Sequence, residues 1–327
     1  MTGLPGGLKR MWALDRAFSP LHIIAMNNHR LNRRQLAVAV IVILTLGTCC
    51  GAPAPQTGPE LNILFQIKLR NQYDILCLKT EGVYPDSVVV LPRESVTPVW
   101  SPDHSKFVFS QERNDQFDLA VADADGGNVR YLTADTANDF NIASWFPHGD
   151  SIVFATDRNG NLDIYSIHAD GTNLVPIIAD SANEWHPIIT PNGQRMLYVS
   201  DVTGRPRIWA FDFPSGQRRM VFKPDTLTAD FEPAISPDGL FLAYSRLVHG
   251  DNPENFDIVL YDLIKNTADL IVADPATDRY PRFSPDGTKI LFHSNRTGVF
   301  TLYMFDRGTR TTRPVNTGTV NSSHGDW

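Results

Sequence analysis

Acidic and imidazole side chains recur at one place in this sequence, just before a proline. An acid stands three residues before each of three prolines, and His, Glu or Tyr directly precedes them. The residues selected in this way, with their counterparts in neighbouring segments, are Asp139, Asn141, Glu184, His186, Asp230, Glu232, Asp278, Tyr280 and His324. Converging carboxylates and imidazoles could ligate a divalent cation or bind a cationic peptide segment. Alternatively, each Asp caps the backbone of its own loop.

These candidates are spaced by a repeat. A turn that resembles Ser-Pro-Asp-Gly, and matches it in full in the last two cases, begins at five positions 45, 44, 46 and 48 residues apart, namely Ser101, Phe146, Thr190, Ser236 and Ser284. Each unit contains about four apolar, strand-like segments. A period near 45 residues with four strands per unit is typical of a β-propeller with one blade per repeat. Pro, Asp or Asn, and Gly suit the turn backbone, so we interpret the turn residues as structural.

The strands of each unit are named a to d along the chain, with strand a ending at the Ser-Pro-Asp-Gly turn. Strands b and c are apolar at consecutive positions, which is typical of sheets buried on both faces. The d–a and b–c loops fall on one face of the ring, around the mouth of the central channel. We call it the channel face, and the candidate residues lie on its d–a side.

Both ends of the chain predict one more blade. Ile63–Gln66, Tyr73–Leu78 and Val88–Leu91 fit strands b, c and d, while Asn321–Trp327 fits strand a. We therefore predict an all-β fold: a six-bladed β-propeller closed by a composite blade from both termini. Closure of this kind removes open sheet edges.

The motif Pro-x-[Trp/Phe]-Ser-Pro-Asp-Gly…Ser-[Asp/Asn]-Arg-x-Gly…Ile-Tyr, clearest at Trp145–Tyr165 and Phe283–Tyr303, resembles the WD-like propeller repeats of TolB-like proteins. The resemblance covers residues 61–327 and implies a six-bladed propeller in the bacterial envelope. TolB itself carries an α/β domain before its propeller and binds a peptidoglycan-associated lipoprotein. Only about ten residues precede the first strand after the apolar run, so we do not expect a TolB orthologue and do not carry that partner over. Dipeptidyl-peptidase-like enzymes have similar non-catalytic propellers, but we do not expect their hydrolase domain in this protein.

The N-terminal segment predicts export. A basic stretch precedes the apolar run Leu36–Leu46, which is short for a membrane span but typical of a secretory signal. We assign residues 1–48 to an N-terminal extension and signal sequence, and a start at Met26 would give a signal of ordinary length.

Cys49 follows the apolar run as in a lipoprotein lipobox, although Thr48 departs from the usual small residue. The sequence predicts lipidation of Cys49; the alternatives are an uncleaved anchor or cleavage near Ala52–Ala54. Residues 49–60 form a tether and residues 61–327 the propeller.

Charge, cysteine content and the absence of known motifs argue against several classes of function. The net charge is −7, and residues 1–48 hold six basic residues and one acid, so the remainder is more acidic still. This argues against nucleic acid and against adhesion to anionic lipids. Of the three cysteines only Cys77 lies in the propeller, which excludes a disulfide within it. The familiar motifs of hydrolases, metalloproteases and phosphate-binding loops are absent from the sequence.

Two features next to the candidate residues have two interpretations each. Trp185, Phe231 and Tyr280 are expected to be exposed aromatics that bind a sugar or peptide, or else to pack between neighbouring loops. The insertion Leu247–Asn255 lengthens one b–c loop on the channel face, either for recognition or through neutral drift.

The favoured hypothesis is a non-enzymatic, membrane-anchored module of the cell envelope that presents its channel face to a protein partner. We expect a monomer without a cofactor and without nucleic acid. The alternative is a metal-dependent enzyme acting on glycans, or a small-ligand-binding protein, using the acidic channel mouth and a divalent cation.

Overall fold

The computed structural model describes residues 62–69, 72–79, 94–223, 228–248, 255–315 and 321–327. These ranges contain twenty-three β-strands and no helix. The predicted signal sequence, Cys49, the 49–60 tether and the strand predicted at Val88–Leu91 lie outside the described residues. Within the ranges that are described, no helix has the length and hydropathy needed to cross a membrane.

The strands form six antiparallel sheets in sequence order around a ring. The first two strands are β1 (Asn62–Leu69) and β2 (Gln72–Lys79). Blade 1 consists of β3 (Ser95–Trp100), β4 (Lys106–Arg113), β5 (Gln116–Asp123) and β6 (Arg130–Tyr131). Blade 2 consists of β7 (Asp139–Trp145), β8 (Ser151–Thr156), β9 (Asp163–His168) and β10 (Val175–Ile178). Blade 3 consists of β11 (Glu184–Ile189), β12 (Arg195–Ser200), β13 (Arg207–Asp212) and β14 (Arg218–Met220).

The remaining blades follow the same plan. Blade 4 consists of β15 (Thr228–Ile235), β16 (Phe241–Val248), β17 (Phe256–Asp262) and β18 (Thr267–Val272). Blade 5 consists of β19 (Asp278–Phe283), β20 (Lys289–Ser294), β21 (Thr301–Asp306) and β22 (Thr311–Pro314). The last strand is β23 (Ser322–Asp326).

Blade 6 is the composite blade, and its sheet order is β2-β1-β23. Strand β23 runs antiparallel to β1, with Ser322 opposite Ile67 and Asp326 opposite Leu64. The chain end therefore supplies the innermost strand of a blade that the first described strands began. The predicted six-bladed fold with a composite closure is confirmed.

Neighbouring blades pack face to face and share their cores. Val108 and Leu119 of blade 1 pack with Ile152 and Phe154 of blade 2, and the other clusters likewise draw on two adjacent blades. Side chains on both faces of the middle strands are thus buried, which explains why these strands are apolar at consecutive positions. Cys77 is a buried thiol in one such cluster.

The Ser-Pro-Asp-Gly turns are structural, as predicted. In the fifth turn, Ser284 Oγ donates to Asp286 Oδ1 at 2.6 Å and the Gly287 amide donates to the Ser284 carbonyl. Gly287 has φ 69°, a left-handed conformation that glycine adopts without strain. Hydrogen bonds of this type lower the pKa of the turn aspartates, including Asp286.

The long b–c loop predicted for blade 4 is partly strand. Leu247 belongs to β16 and pairs with Phe256 at the start of β17, so this hairpin is one residue pair longer than those of blades 2, 3 and 5, although the hairpins of blades 1 and 6 are longer still. Strand pairing accounts for Leu247, which opposes the apolar Phe256. Residues 249–254 of the insertion lie outside the described residues.

Candidate functional site

A β-bulge interrupts the inner strand of every blade. The pairing register breaks between Val96 and Val99 in β3 and at the matching points of the other inner strands. In blades 1, 3, 4, 5 and 6 the bulge contains a non-glycine residue with φ between 50° and 57°, namely Thr97, His186, Glu232, Tyr280 and His324. Such residues are uncommon, because a side chain in the left-handed region is strained, and they often mark functional positions.

The bulges bring side chains from several blades together in the central channel. The His186 ring of blade 3 lies 5.6 Å from the Tyr280 ring of blade 5, and Tyr280 lies 4.0 Å from His324 of blade 6, measured between ring centroids. A contact between blades 3 and 5 passes the inner strand of blade 4, so these side chains meet within the channel. We call His186, Glu232, Tyr280, His293, His324, Arg279 and Arg282 the axial cluster.

Glu232 and Arg279 form the buried ion pair of the axial cluster. Arg279 Nη2 and Nε both donate to Glu232 Oε1, and the Tyr280 amide donates to Glu232 Oε2 at 3.1 Å. The guanidinium also lies over the rings of Phe256 and Tyr280. Glu232 thereby fixes the bulge of the next blade.

The three histidines of the axial cluster are buried and neutral. Burial lowers the pKa of His324 to about 3 and those of His186 and His293 well below the usual value, and the charge of Arg279 acts in the same direction on all three. A neutral imidazole donates one hydrogen bond and accepts another. The cluster therefore offers hydrogen-bonding groups rather than imidazolium charge.

The four acids at the start of the inner strands have a different role. Asp139 pairs with Arg158 at 3.0 Å, and Asp278 pairs with Arg296 at 2.8 Å; both arginines come from the b–c turn of the same blade. These arginines lie over Tyr165 and Tyr303, the tyrosines that end the repeat motif. The Arg and Tyr of the motif therefore have a structural role: the Arg pairs with the buried acid, and the Tyr ring packs against the Arg.

The acids of blades 3 and 4 also bond within the ring wall. Asp230 accepts from Arg246 at 2.9 Å and from Arg207 of blade 3 at 3.3 Å. Glu184 accepts from Ser200 Oγ at 2.8 Å. The structure thus separates the sequence candidates: His186, Glu232 and His324 come together in the channel, whereas Asp139, Glu184, Asp230 and Asp278 bond to blade walls.

Two of the three flanking aromatics pack between the strands of neighbouring blades. Trp185 and Phe231 are buried, not exposed as expected, with their rings 6.4 Å apart, and Phe231 also contacts Phe256. Tyr280 is half-buried within the axial cluster. The packing interpretation therefore applies to Trp185 and Phe231.

Acidic side chains also face one another across blade seams. Desolvation raises the pKa of Asp118 and of Asp257 to about 6, with the neighbouring Asp139 and Asp278 acting in the same direction. Desolvation raises the pKa of Glu184 to about 7, opposed by Ser200 and Arg218 and reinforced by Asp180 and Asp163. These three carboxyl groups at the contacts between blades bind protons more tightly in the folded chain than in the unfolded chain.

Glu184→Gln is expected to stabilise the propeller at pH 8 and to have a smaller effect at pH 5.5. Because folding raises the pKa of Glu184 from 4.5 to about 7, its contribution to stability is fully present below pH 4.5 and is lost as the pH rises through about 7. Gln stays neutral, so the variant should unfold about 5 °C above the parent at pH 8. Thermal unfolding followed by circular dichroism measures this difference.

The comparison with the parent at each pH is necessary because the buried histidines titrate in the opposite sense. Thr312→Ala, which changes an exposed residue of β22 without a titratable group, is the control and should give the same difference at both pH values. A Glu184→Gln effect that does not change with pH would contradict the assignment.

A metal site is not formed by the candidates in the described ranges. No group of three His, Cys, Asp or Glu side chains there is placed to hold a metal ion. Arg279 and Arg282 lie among the axial histidines, which disfavours a cation at that level of the channel.

Arg279, Arg282 and His293 were not among the sequence candidates. Arg279 and Arg282 occupy strand-a positions that are apolar in blades 1 and 3, where the residues are Val96, Val99, Trp185 and Ile188. A charged residue at a position that is apolar in other repeats was the signal that could have identified them. His293 lies on β20, and its ring contacts those of Tyr280 and His324.

The fold and the channel define a six-bladed β-propeller with a buried polar cluster on its axis. A family model described as TolB beta propeller domain matches residues 70–246 and 165–327. The chain belongs to this TolB β-propeller family.

Solved structures show the same fold. TolB from Acinetobacter baumannii is 19% identical, with a TM-score of 0.71, over 93% of this chain and 74% of that one. A nidogen/laminin complex chain is 10% identical (TM-score 0.64), covering 81% of this chain and 97% of that one. An oligogalacturonate lyase in complex with manganese is 13% identical (TM-score 0.56), covering 77% and 73%.

Proposed function

We propose that this chain is a non-enzymatic protein-binding module of the cell envelope that presents its channel face to a partner protein. One observation carries the proposal: the inner-strand bulges gather dissimilar side chains from four blades at one level of the channel. The blades are otherwise built alike, and function in repeat scaffolds lies where the repeats differ.

The composition of the axial cluster suits a protein partner. Tyr and Arg are enriched among the residues that dominate protein interfaces, and such residues act from well-packed central positions. Tyr280 is supported by rings and by Arg279, so little side-chain entropy remains to be lost on binding. The acidic composition disfavours nucleic acid as the partner.

The proposed location is the bacterial cell envelope. The basic segment and apolar run predict export, and lipidation of Cys49 would attach the propeller to a membrane through the 49–60 tether. Membership of the TolB propeller family supports an exported protein. We propose that the propeller acts there as a monomer.

The second candidate is a metal-dependent enzyme acting on glycans. Its support is the shared fold with an oligogalacturonate lyase that was solved with manganese. The described residues contain no metal-binding group of three side chains, so the protein-binding function is preferred.

Photo-crosslinking from two positions tests the proposed function. Val202, in the b–c turn of blade 3, is 49% exposed on the channel face, and Leu240, in the a–b turn of blade 4, is 43% exposed on the opposite face. A photoreactive residue at 202 in native envelopes should capture one defined protein at least about five times more than the same residue at 240.

Equal capture from the two positions would contradict the use of the channel face. A stoichiometric divalent ion in the purified protein that is lost on Asp230→Ala, together with absence of a captured protein, would instead support the enzyme.

A further inference from the structure

His186 is the one member of the axial cluster whose polar atoms have no hydrogen-bond partner within the described ranges. Its side chain is 3% exposed, and both ring nitrogens are buried. By contrast, His324 Nδ1 lies 3.1 Å from Ser323 Oγ, and His293 Nδ1 accepts from the His324 amide. Buried polar groups nearly always have a partner, so a group from outside the described chain is expected to complete His186.

Arg282 lies in the same part of the channel and is loosely held. Its Nε is 3.7 Å from Asp326 Oδ1 and its Nη1 is 3.5 Å from the Pro281 carbonyl, although the side chain is only 12% exposed. The charge of Arg282 acts on both His186 and His324. Arg279, three residues earlier, is instead held tightly by Glu232. The donors of the Arg282 guanidinium therefore make only long contacts with the residues around them.

The charges of the cluster indicate what would fit there. Arg279 is matched by Glu232, and Arg282 faces Asp326, whose pKa is raised by burial. Glu232 and Asp326 would repel the two charges of a dianion such as phosphate, and Arg279 and Arg282 would repel a metal cation. A single negative charge with two acceptor oxygens matches a guanidinium fork, and it can also accept from an imidazole N–H.

We propose that the axial cluster binds a carboxylate group, which the Arg282 guanidinium holds and which accepts a hydrogen bond from His186. The source we assign is an acidic side chain of the partner protein. The inference deepens the proposed function, on which it rests, because it names the group of the partner that the channel face would recognise.

Matched neutral probes test the proposal on the purified full-length chain. Acetyl-Ala-Asp-Ala-amide is compared with acetyl-Ala-Asn-Ala-amide, and digalacturonate with its methyl ester, by calorimetric titration. We expect at least one acidic probe to bind about tenfold more tightly than its neutral counterpart. Binding of the acidic peptide supports the assigned source, whereas binding of the sugar acid alone would contradict it. If neither acid binds more tightly than its neutral counterpart, the proposal is wrong.

Two variants locate the site. His186→Asn keeps a residue that tolerates the left-handed backbone, and it should weaken the acidic probe about fivefold or more. His168→Asn changes an exposed histidine at the end of β9 and should leave binding unchanged. Equal effects of the two variants would overturn the assignment. Arg282→Gln should abolish the preference for the acid; because Arg282 contacts Asp326, His186→Asn decides the outcome if that variant does not fold.

The two proposals fail separately. A partner captured at position 202 without any preference for acidic probes would contradict only the carboxylate site. A clear preference for an acidic probe without any captured protein would contradict only the protein-binding function.

Discussion

Deletion of residues 321–327 is expected to unfold the propeller. These residues supply strand β23, without which blade 6 loses its inner strand and the ring opens. Ser323 Oγ accepts from Gln66 Nε2 at 3.0 Å, and Trp327 packs against Ile63 and Leu302. The deletion would therefore expose both the core of blade 6 and an unpaired edge of β1.

The same residues join blade 6 to both neighbouring blades. Asp326 Oδ2 accepts from the Trp100 amide of blade 1 at 2.9 Å and Asp326 Oδ1 faces Arg282 of blade 5. Trp327 Nε1 donates to the Arg282 carbonyl at 3.2 Å. Trp327→Ala alone should lower the free energy of unfolding by about 3–5 kcal/mol, as for other buried Trp side chains, and the deletion by more.

Urea unfolding followed by tryptophan fluorescence and circular dichroism measures these losses. The control replaces the exposed residues Thr311 and Thr312 of β22, an outer strand of the adjacent blade, by Ala, and should change stability by less than about 0.5 kcal/mol. A truncated chain with the unfolding midpoint of the parent would show that closure by the C-terminal strand is wrong.

Glu232→Gln is expected to be the most damaging isosteric substitution in the channel. It removes the charge that balances Arg279 while that guanidinium remains buried among Phe256 and Tyr280. Loss of one partner from a buried ion pair costs about 3–5 kcal/mol because the remaining charge is uncompensated. Chemical denaturation of the variant and the parent gives the difference directly.

Two further variants show whether the buried charge is the cause. Combining Glu232→Gln with Arg279→Met removes both charges and should recover a large part of the lost stability. Asp269→Asn breaks an exposed ion pair with Arg310 and should cost less than about 1 kcal/mol. If Glu232→Gln costs no more than Asp269→Asn, the pair does not stabilise the channel wall as described.

Most of the fold could be predicted because its information is local and repeated. In the turns that begin at Ser101 and Ser284, the serine Oγ accepts from the amide five residues later, so the two units show the same pattern. The position of Trp327 in the repeat also predicted the composite blade. The extension of β16 to Val248 was missed, since pairing of Leu247 with Phe256 depends on a cross-strand contact and not on the period.

The candidate site could be predicted only in part. Alignment on the prolines found His186 and Glu232, but it could not distinguish them from Asp139 and Asp278, which bond to arginines in their own blades. That distinction depends on the bulge, whose left-handed residue projects into the channel. Arg282 was missed because its importance comes from Asp326 and His186 on other blades, which a repeat alignment does not compare.

Partner capture in two variant backgrounds tests most directly whether the axial cluster is a recognition site. A photoreactive residue at 202 is combined with His186→Asn or with His168→Asn, and the captured protein is quantified in native envelopes. We predict that His186→Asn lowers capture about tenfold, as expected for a central interface residue, while His168→Asn leaves it unchanged. Equal capture in the two backgrounds would contradict the claim that the channel cluster recognises the partner.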